Sequence, residues 1–343
     1  MTQILGLIIL SFVVISILLV PFINILYNIK FQRQKQKTKD VFEVRTPIFD
    51  LLHSHKAGTP LGGGALIIFV VTTLYLIIVG TAPFFGIQMT SIYPIKAEMQ
   101  IILFTFLSFG ALGLYDDIRK TFGFQKTHFW GLRARYKLLF QFLLSTIVAA
   151  LIYFNLGIDI VNIRFIDVFH LGIYYIPFAA FVIIAFANAV NISDGLDGLA
   201  SGLLLICLFA FLVISSSILD ATTSTFIGLW IGALIAFLYF NIWPARIWLG
   251  DVGALSFGAT LAVIGLMLGK PFGLAIIGGV FVVEVASSLV QILSKKIRHK
   301  KVFEVAPIHL WLQYKGWEES KIVFRFWLAQ TMFAIIGLWL SFF

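Results

Sequence analysis

Long apolar stretches alternate with short polar segments along almost the whole chain. A membrane-spanning helix needs about 20 predominantly apolar residues, and ten stretches come close to that length. The linkers between them are short, so we predict a single all-α integral membrane domain over residues 1–343. The first stretch is too long to indicate a cleaved signal peptide. The predicted spans cover residues 3–29, 61–80, 99–115, 136–154, 174–190, 198–217, 223–243, 253–268, 272–293 and 322–342.

The composition supports this assignment. Hydrophobic residues make up 60% of the 343 positions and charged residues only 12%, and the mean hydropathy is +1.00. Soluble domains average about half apolar and a quarter charged residues. The single cysteine, Cys207, lies within a predicted span, which excludes a disulfide framework and a thiolate metal site.

Lysine and arginine are concentrated in the loops that follow the odd-numbered spans. Because basic loops stay in the cytoplasm, this asymmetry predicts that both termini lie outside. The net charge of +9 fits this bias and an attraction to membrane lipids with anionic headgroups. No zinc finger, helix-turn-helix or aromatic-basic platform is evident, so we expect no nucleic-acid partner. The basic positions are Lys30, Arg33, Lys35, Lys37, Lys39, Arg45, Lys56, Arg119, Lys120, Lys126, Arg133, Arg135, Lys137, Arg246 and those from Lys295 to Lys321, against Lys96, Arg164 and Lys270 on the other side.

The stretch NAVNISDGLDGLASG, residues 188–202, places polar side chains beside predicted spans. An acidic side chain in hydrocarbon costs about 2.5 to 3.5 kcal/mol on insertion scales, so such residues usually line a functional cavity. Asp194 and Asp197 are three residues apart and would share one face of a helical turn, with Asn191 and Asn188 each one turn earlier. We interpret this polar face as one wall of an active site.

Three further aspartates lie at the same predicted membrane surface. Asp116 and Asp117 leave span three together, and such a pair is either a set of exposed charges at a helix end or part of a metal-phosphate site. Mg²⁺ is typically held by one or two carboxylates plus substrate phosphates, which favours the second interpretation. Asp251 begins span eight, where it would cap a helix or, beside free amide donors, belong to an anion site.

Basic residues and a histidine accompany these acids. Lys56 precedes the glycines of residues 62–64, a flexible backbone that could meet a phosphate or simply help helices to pack. A lone histidine such as His309 is more often structural, and Glu284 inside span nine is a functional-site candidate without a nameable partner. All five aspartates and these cations nevertheless fall on one membrane face. This convergence predicts a site for Mg²⁺ and a diphosphate with a lipid as acceptor; its basic members are Lys56, Lys120, Lys137 and His309.

Five segments carry a family resemblance: HKAGTPLGGG, GLYDDIRK, NAVNISDGLDGLASG, NIWPARIWLGDVGALSFG and APIHLWLQYKGWEESKIVFRFW. In this order they resemble the polyprenyl-phosphate N-acetylhexosamine-1-phosphate transferases, and the first and last are most similar to the phospho-N-acetylmuramoyl-pentapeptide transferase branch. The resemblance implies transfer of phospho-MurNAc-pentapeptide from UDP-MurNAc-pentapeptide to undecaprenyl phosphate, giving lipid I and UMP. It also implies Mg²⁺ as cofactor, a multi-pass location in the bacterial inner membrane, an active site at the cytoplasmic face and a homodimer.

The resemblance also implies roles for individual residues. Asp251 matches the magnesium-binding aspartate, while Asp116 and Asp117 match a pair proposed to activate the lipid phosphate or to organise metal and phosphates. His309 joins them as a catalytic candidate. The other matching positions are Asn188 as a second metal ligand, Asn188, Asn191, Asp194 and Asp197 around metal and nucleotide, and Lys56, Asn241 and Trp248 near the uridine diphosphate.

The sequence departs from the muramoyl branch at two notable places. That branch usually reads PIHHHFE, whereas residues 307–313 read PIHLWLQ, so two of three histidines are missing. Trp248 stands where phenylalanine is expected, although a flat indole can also stack on uracil. The histidine change leaves a transferase of GlcNAc-1-phosphate from UDP-GlcNAc as the alternative.

The mechanism and one rival class stay open at this stage. A lipid phosphate oxygen would attack the β-phosphorus of the UDP-sugar, with Asp116 as base, either directly or through a covalent phospho-enzyme. A polytopic transporter would also account for ten spans with polar groups. Transporters hold substrate near the midplane, often within inverted repeats, whereas here the acids cluster at one face.

Overall fold

A computed structural model describes residues 2–32, 46–52, 56–86, 88–122, 134–163 and 167–342. The predicted basic positions Arg33, Lys35, Lys37, Lys39, Arg45, Lys126, Arg133 and Arg164 lie outside the described residues. The helices are α1 (Thr2–Asn28), α2 (Pro47–Leu52), α3 (Gly63–Thr81), α4 (Ile95–Phe122), α5 (Ala134–Leu156), α6 (Tyr175–Ser193), α7 (Leu199–Ser217), α8 (Ala221–Asn241), α9 (Gly250–Met267), α10 (Pro271–Ile277), α11 (Gly279–Arg298), α12 (Ile308–Tyr314) and α13 (Glu319–Phe342).

The helices confirm the membrane assignment. Within the described ranges, nine helices are long and apolar enough to cross a bilayer, and α10 with α11 makes a tenth candidate. The predicted straight span 272–293 is instead broken, because α10 and α11 meet at an angle of 82°. Gly278 and Gly279 form this junction, and glycine is a common cause of sharp helix kinks.

Helix α9 forms the centre of the bundle, and every one of its residues from Gly250 to Met267 is buried. It packs against α3, α4, α6 and α7. Phe106 of α4 lies with its ring centroid 5.6 Å from that of Phe257 of α9 and 5.4 Å from that of Trp230 of α8. These aromatic contacts fix the three helices side by side.

Close backbone contact brings the end of α4 against the start of α9. A Cβ atom on Gly113 would overlap the carbonyl of Asp251 and the Cα of Val252. Glycine therefore permits an approach that any larger residue would prevent, as small residues do between membrane helices. The approach also carries Asp116 and Asp117, one turn further along α4, to the N-terminus of α9.

The turn between α6 and α7 corrects one prediction. Helix α6 ends at Ser193 and α7 begins at Leu199, so Asp194 and Asp197 lie in the turn rather than on one helical face. Gly198 has a φ of +77° at the N-cap of α7, a conformation that favours glycine and reverses the chain there. The two aspartates consequently point to different neighbours.

A short hairpin was not predicted. Strands β1 (Ile160–Ile163) and β2 (Asp167–His170) pair antiparallel, with Ile160 opposite His170. The hairpin lies between α5 and α6, and β1 packs against α10. Strands of four residues are too short to show a period of their own against the apolar stretches around them.

The contact between α4 and α9 generates a stability prediction. Gly113→Ala should lower the midpoint of thermal unfolding in detergent, because overpacking of this kind costs about 1–3 kcal/mol. Gly80→Ala is the matched control, since a Cβ on that helical glycine meets nothing within 4 Å. Equal midpoints for the two variants would contradict the packing account.

Candidate active site

Three aspartates and two lysines from three helices form a cluster at one end of the bundle. Lys120 Nζ lies 3.0 Å from Asp116 Oδ2 and 2.7 Å from Asp251 Oδ2. Lys137 Nζ of α5 lies 3.1 Å from the same Asp116 oxygen and also contacts Asp251 Oδ2. Two ammonium groups thus bridge α4 and α9, and each compensates carboxylates that are almost fully buried.

Asp117 and the N-terminus of α9 complete this cluster. Asp117 Oδ2 accepts a hydrogen bond from the Val252 backbone N–H at 3.0 Å, as expected of a carboxylate at a helix N-terminus. Its other oxygen, Oδ1, is buried and has no hydrogen-bond partner. Gly250 has a φ of +76°, and a Cβ there would lie 2.6 Å from Asp117 Oδ2, so only glycine leaves room for this contact.

Asp194 joins the same cluster from the α6–α7 turn. Its carboxylate accepts a backbone hydrogen bond from Gly250. Burial, followed by the neighbouring charges of Asp251 and Asp117, raises the pKa of Asp194 to about 7. Negative charge is therefore crowded at this point, beyond what the two lysines compensate.

A second group of side chains surrounds Lys56. Lys56 Nζ lies 3.0 Å from Asp197 Oδ1 and also contacts Glu319 Oε1 of α13, and these side chains are 2%, 5% and 5% exposed. The rings of Trp243 and Trp248 lie with their centroids 5.8 Å and 5.7 Å from the ammonium nitrogen. Two indole rings and two carboxylates thus surround the ammonium group of Lys56, and these five side chains are called the Lys56 subsite.

Asp197 connects this subsite to the chain around it. Its Oδ2 accepts from the Ala245 backbone N–H at 2.9 Å, and its Oδ1 accepts from Trp248 Nε1 at 3.2 Å. Its own backbone N–H donates to Glu319 Oε1 at 2.7 Å. The α6–α7 turn therefore links the two groups, with Asp194 in the aspartate–lysine cluster and Asp197 beside Lys56.

His309 reaches the same turn from α12. Its Nδ1 lies 2.7 Å from Glu284 Oε2 of α11, and its backbone N–H donates to Glu284 Oε1 at 3.2 Å. A Cβ on Gly195 would lie 2.6 Å from His309 Nε2. The structure therefore supplies the partner of Glu284 that the sequence did not reveal.

The predicted amide side chains lie around the site and are engaged by the protein. Asn188 Nδ2 donates to Gln141 Oε1 of α5 at 2.8 Å and to the Ile184 carbonyl at 2.9 Å. Asn241 is buried and ties the loop before α9, because its Nδ2 donates to the Ile247 carbonyl at 2.9 Å. Asn191 is half-buried near the end of α6. Substrate or metal contacts of these three residues stay predictions.

Sequence reasoning missed Glu319 and Gln141. Glu319 is buried while its neighbour Glu318 is exposed, and an adjacent acid pair ahead of an apolar helix gives no signal of which one turns inward. Gln141 lies within a predicted span, where a polar residue was a usable signal. Neither was proposed as a site residue.

The donor set suits a divalent cation that is also bound by phosphate. Among the residues that the structure describes, no three His, Cys, Asp or Glu side chains could hold a metal by themselves. Asp251 has its charge compensated by lysines, and the buried Asp117 Oδ1 lacks a partner. Since Mg²⁺ needs only one or two carboxylates beside phosphates and water, the residues fit that ion in the presence of a diphosphate.

Comparison of the chain with known proteins finds the same family that the sequence motifs resemble. Residues 99–269 match glycosyl transferase family 4. A phospho-N-acetylmuramoyl-pentapeptide-transferase of Caldanaerobacter subterraneus subsp. tengcongensis is 37% identical over 291 residues, covering 85% of each chain. The protein of that name from Clostridium beijerinckii is 37% identical over 326 residues, covering 94% of this chain and 92% of the relative. A third, from Orientia tsutsugamushi, is 37% identical over 85% of this chain and 83% of its own length.

The chain belongs to the phospho-N-acetylmuramoyl-pentapeptide transferase family. It is therefore a membrane-embedded transferase, and the transporter alternative is not supported. The resemblance that the sequence motifs predicted is confirmed.

The Lys56 subsite yields a prediction that separates stability from activity. Lys56→Met leaves two buried carboxylates without their ammonium partner, and breaking a buried pair in this way costs about 3–5 kcal/mol. We expect a lower midpoint of thermal unfolding and loss of activity. The double variant Lys56→Met/Glu319→Gln removes one of the uncompensated charges and should recover part of the stability while staying inactive. A stable Lys56→Met protein would contradict the role of this ion pair.

Proposed function

We propose that this protein transfers phospho-MurNAc-pentapeptide from UDP-MurNAc-pentapeptide to undecaprenyl phosphate, forming lipid I and UMP. The observation that carries the proposal is the joining of two subsites by one turn. Aromatic and charged side chains around Lys56 lie beside an aspartate–lysine cluster at a helix N-terminus, an arrangement that would suit a nucleoside diphosphate. The family of the chain supports the choice of donor and acceptor.

The Lys56 subsite would receive the uridine part of the donor. Trp248 offers a flat surface on which uracil can stack, and Asp197 holds both this indole and Lys56 in place. The diphosphate would then extend toward the N-terminus of α9, where backbone N–H groups and the helix dipole favour an anion. Lys120 and Lys137 contact Asp251 at this helix end and would reach phosphate oxygens there.

We infer that Mg²⁺ is the cofactor and that Asp251 would hold it, with Asn188 as a second ligand. When bound, the ion would neutralise charge that develops on the phosphates during transfer. With its charge compensated in this way, Asp251 would no longer need the positive charge that Lys120 and Lys137 now supply. Those ammonium groups would then be free to turn to the diphosphate.

The reaction forms a bond between a lipid phosphate oxygen and the β-phosphorus of the donor, and it breaks the bond between that phosphorus and the bridging oxygen of UMP. Asp116 is our proposed base. A phosphate monoester has a second pKa of about 6 and is largely ionised near neutrality, so positioning of the acceptor by Asp116 and Asp117 is the alternative role. Trapping of a phosphoryl-aspartate would favour the two-step route over direct attack.

The distribution of basic residues supports the orientation of the protein. The end of the bundle that carries the aspartates also carries Lys56, Lys120, Lys137 and the basic turn at the end of α11. Basic segments stay in the cytoplasm, so we propose a cytoplasmic active site, termini on the outside and a location in the bacterial inner membrane. A homodimer stays a prediction.

Replacement of Asp251 tests both the activity and the metal. Purified protein given undecaprenyl phosphate and UDP-MurNAc-pentapeptide should release UMP only with Mg²⁺ present. Asp251→Asn should lower this rate by about a hundredfold or more, as expected when charge stabilisation of the transition state is lost. Glu304→Gln is the control, because Glu304 pairs with Lys315 at the protein surface; its rate should match the wild type. Unchanged UMP release in the presence of EDTA would contradict the proposal that Mg²⁺ is the cofactor.

The identity of the donor needs a test of its own. Leu310 and Trp311 stand where the branch usually carries two further histidines. Leu310 is buried, and Trp311 Nε1 donates to Glu304 Oε2 at 2.7 Å. These side chains offer no imidazole to a sugar phosphate, which keeps UDP-GlcNAc as the second candidate. We expect faster UMP release from UDP-MurNAc-pentapeptide than from UDP-GlcNAc at equal concentration. The reverse order would assign the chain to GlcNAc-1-phosphate transfer.

A further inference from the structure

We propose that Glu284 is a positioning residue, which holds the imidazole of His309 so that its Nε2 atom faces the α6–α7 turn of the active site. The proposal rests on the proposed function, since it gives His309 a defined orientation within that same site. Nothing in the family assignment or in the sequence motifs gives Glu284 a role.

The carboxylate of Glu284 holds His309 at two points. One oxygen lies 2.7 Å from the ring Nδ1, and the other accepts the backbone N–H of the same residue at 3.2 Å. Both side chains are almost fully buried, at 0% and 1% exposure. An ionised carboxylate accepts hydrogen bonds and cannot donate one. The contact therefore fixes the plane of the ring, and with Glu284 ionised it places a proton on Nδ1.

The opposite edge of the ring lies against the turn that joins the two subsites. A Cβ on Gly195 would lie 2.6 Å from His309 Nε2, and the carbonyl oxygen of Gly195 accepts from Lys56 Nζ at 3.4 Å. Gly195 lies directly after Asp194 and two residues before Asp197. With Nδ1 bound to Glu284, Nε2 is the ring atom that can meet a substrate phosphate or sugar oxygen, and the carboxylate would also stabilise an imidazolium.

Neutral residues of the same helix already attach this segment to the bundle. Ser287 Oγ accepts from the Ile308 backbone N–H at 3.2 Å, and Gln291 Oε1 accepts from the backbone N–H groups of Val302 and Phe303 at 3.0 Å each. A neutral acceptor is thus sufficient for anchoring the backbone. The acid, whose burial is far more costly, occurs where the imidazole has to be oriented.

Histidine NMR tests the orientation directly. The chain has six histidines, and the ring signals of His309, labelled with nitrogen-15, can be assigned by their loss in His309→Gln. We expect the wild-type spectrum to show Nδ1 protonated. A spectrum with Nδ1 unprotonated would overturn the proposal even if neither Glu284 variant folded.

Kinetics then separate positioning from anchoring. Glu284→Leu removes both acceptors and should lower kcat for UMP release by about a hundredfold or more, the lower end of acid–base contributions, while abolishing the preference for a proton on Nδ1. Glu284→Gln keeps one acceptor and should be intermediate. Ser287→Ala is the matched control, because it loosens the residue next to His309 and leaves Glu284 in place; its kcat should stay close to that of the wild type.

The outcomes distinguish this inference from the proposed function. Glu284→Leu with wild-type kcat, or with a kcat no lower than that of Ser287→Ala, would overturn the positioning role. Absence of UMP release from the wild type would instead overturn the proposed function, while the NMR spectrum would still report the state of His309.

Discussion

Burying carboxylates inside an apolar helix bundle requires compensation of their charge, and here lysines shared between helices supply it. Lys120 and Lys137 both contact Asp116 of α4 and Asp251 of α9, while Lys56 joins the α6–α7 turn to α13. A shared ammonium group does more than neutralise. It sets how closely two helix ends approach, because the pair is stable only when both carboxylates remain within contact of it.

Packing of small residues makes that approach possible. Gly113 lets the backbone of α4 touch the start of α9, and Gly250 leaves the space into which Asp117 reaches. The carboxylates of the site are therefore set by backbones in contact rather than by long flexible side chains. Such rigid placement suits a phosphoryl-transfer site, where the protein contributes mainly positioning and electrostatics.

Acidic residues at the other end of the bundle show why composition alone could not define the site. Glu98, near the start of α4, is also buried and accepts hydrogen bonds from the hydroxyls of Ser91 and Thr223. Asp220 caps α8 through the Thr223 backbone N–H. These acids have neutral partners within the protein and tie loops together. The site is distinguished by carboxylates that need lysines from other helices, a feature of tertiary structure that a single sequence does not display.

The sequence predicted the spans, because apolar runs of about twenty residues are a strong local signal. It also predicted that the aspartates of the site meet at one end of the bundle, because polar residues beside such runs are equally conspicuous. It failed where geometry depends on distant contacts. The helical face expected for Asp194 and Asp197 is a turn, because α6 ends at Ser193 and Gly198 adopts a left-handed conformation just before α7 begins. Glu319 contacts Lys56, which lies 263 residues earlier in the chain, and Glu284 contacts His309, which lies 25 residues later on another helix. No periodic pattern in the sequence records such pairs.

The α6–α7 turn explains how the separate pieces work together. Its aspartates face opposite ways, Asp194 toward the start of α9 and Asp197 toward Lys56, with the edge of His309 against the glycine between them. A ligand that spanned both subsites, as proposed, would therefore pass along this one turn. Because Glu319 accepts the backbone N–H of Asp197 and the Gly250 backbone donates to the carboxylate of Asp194, movement of either α9 or α13 would change the spacing of the two subsites.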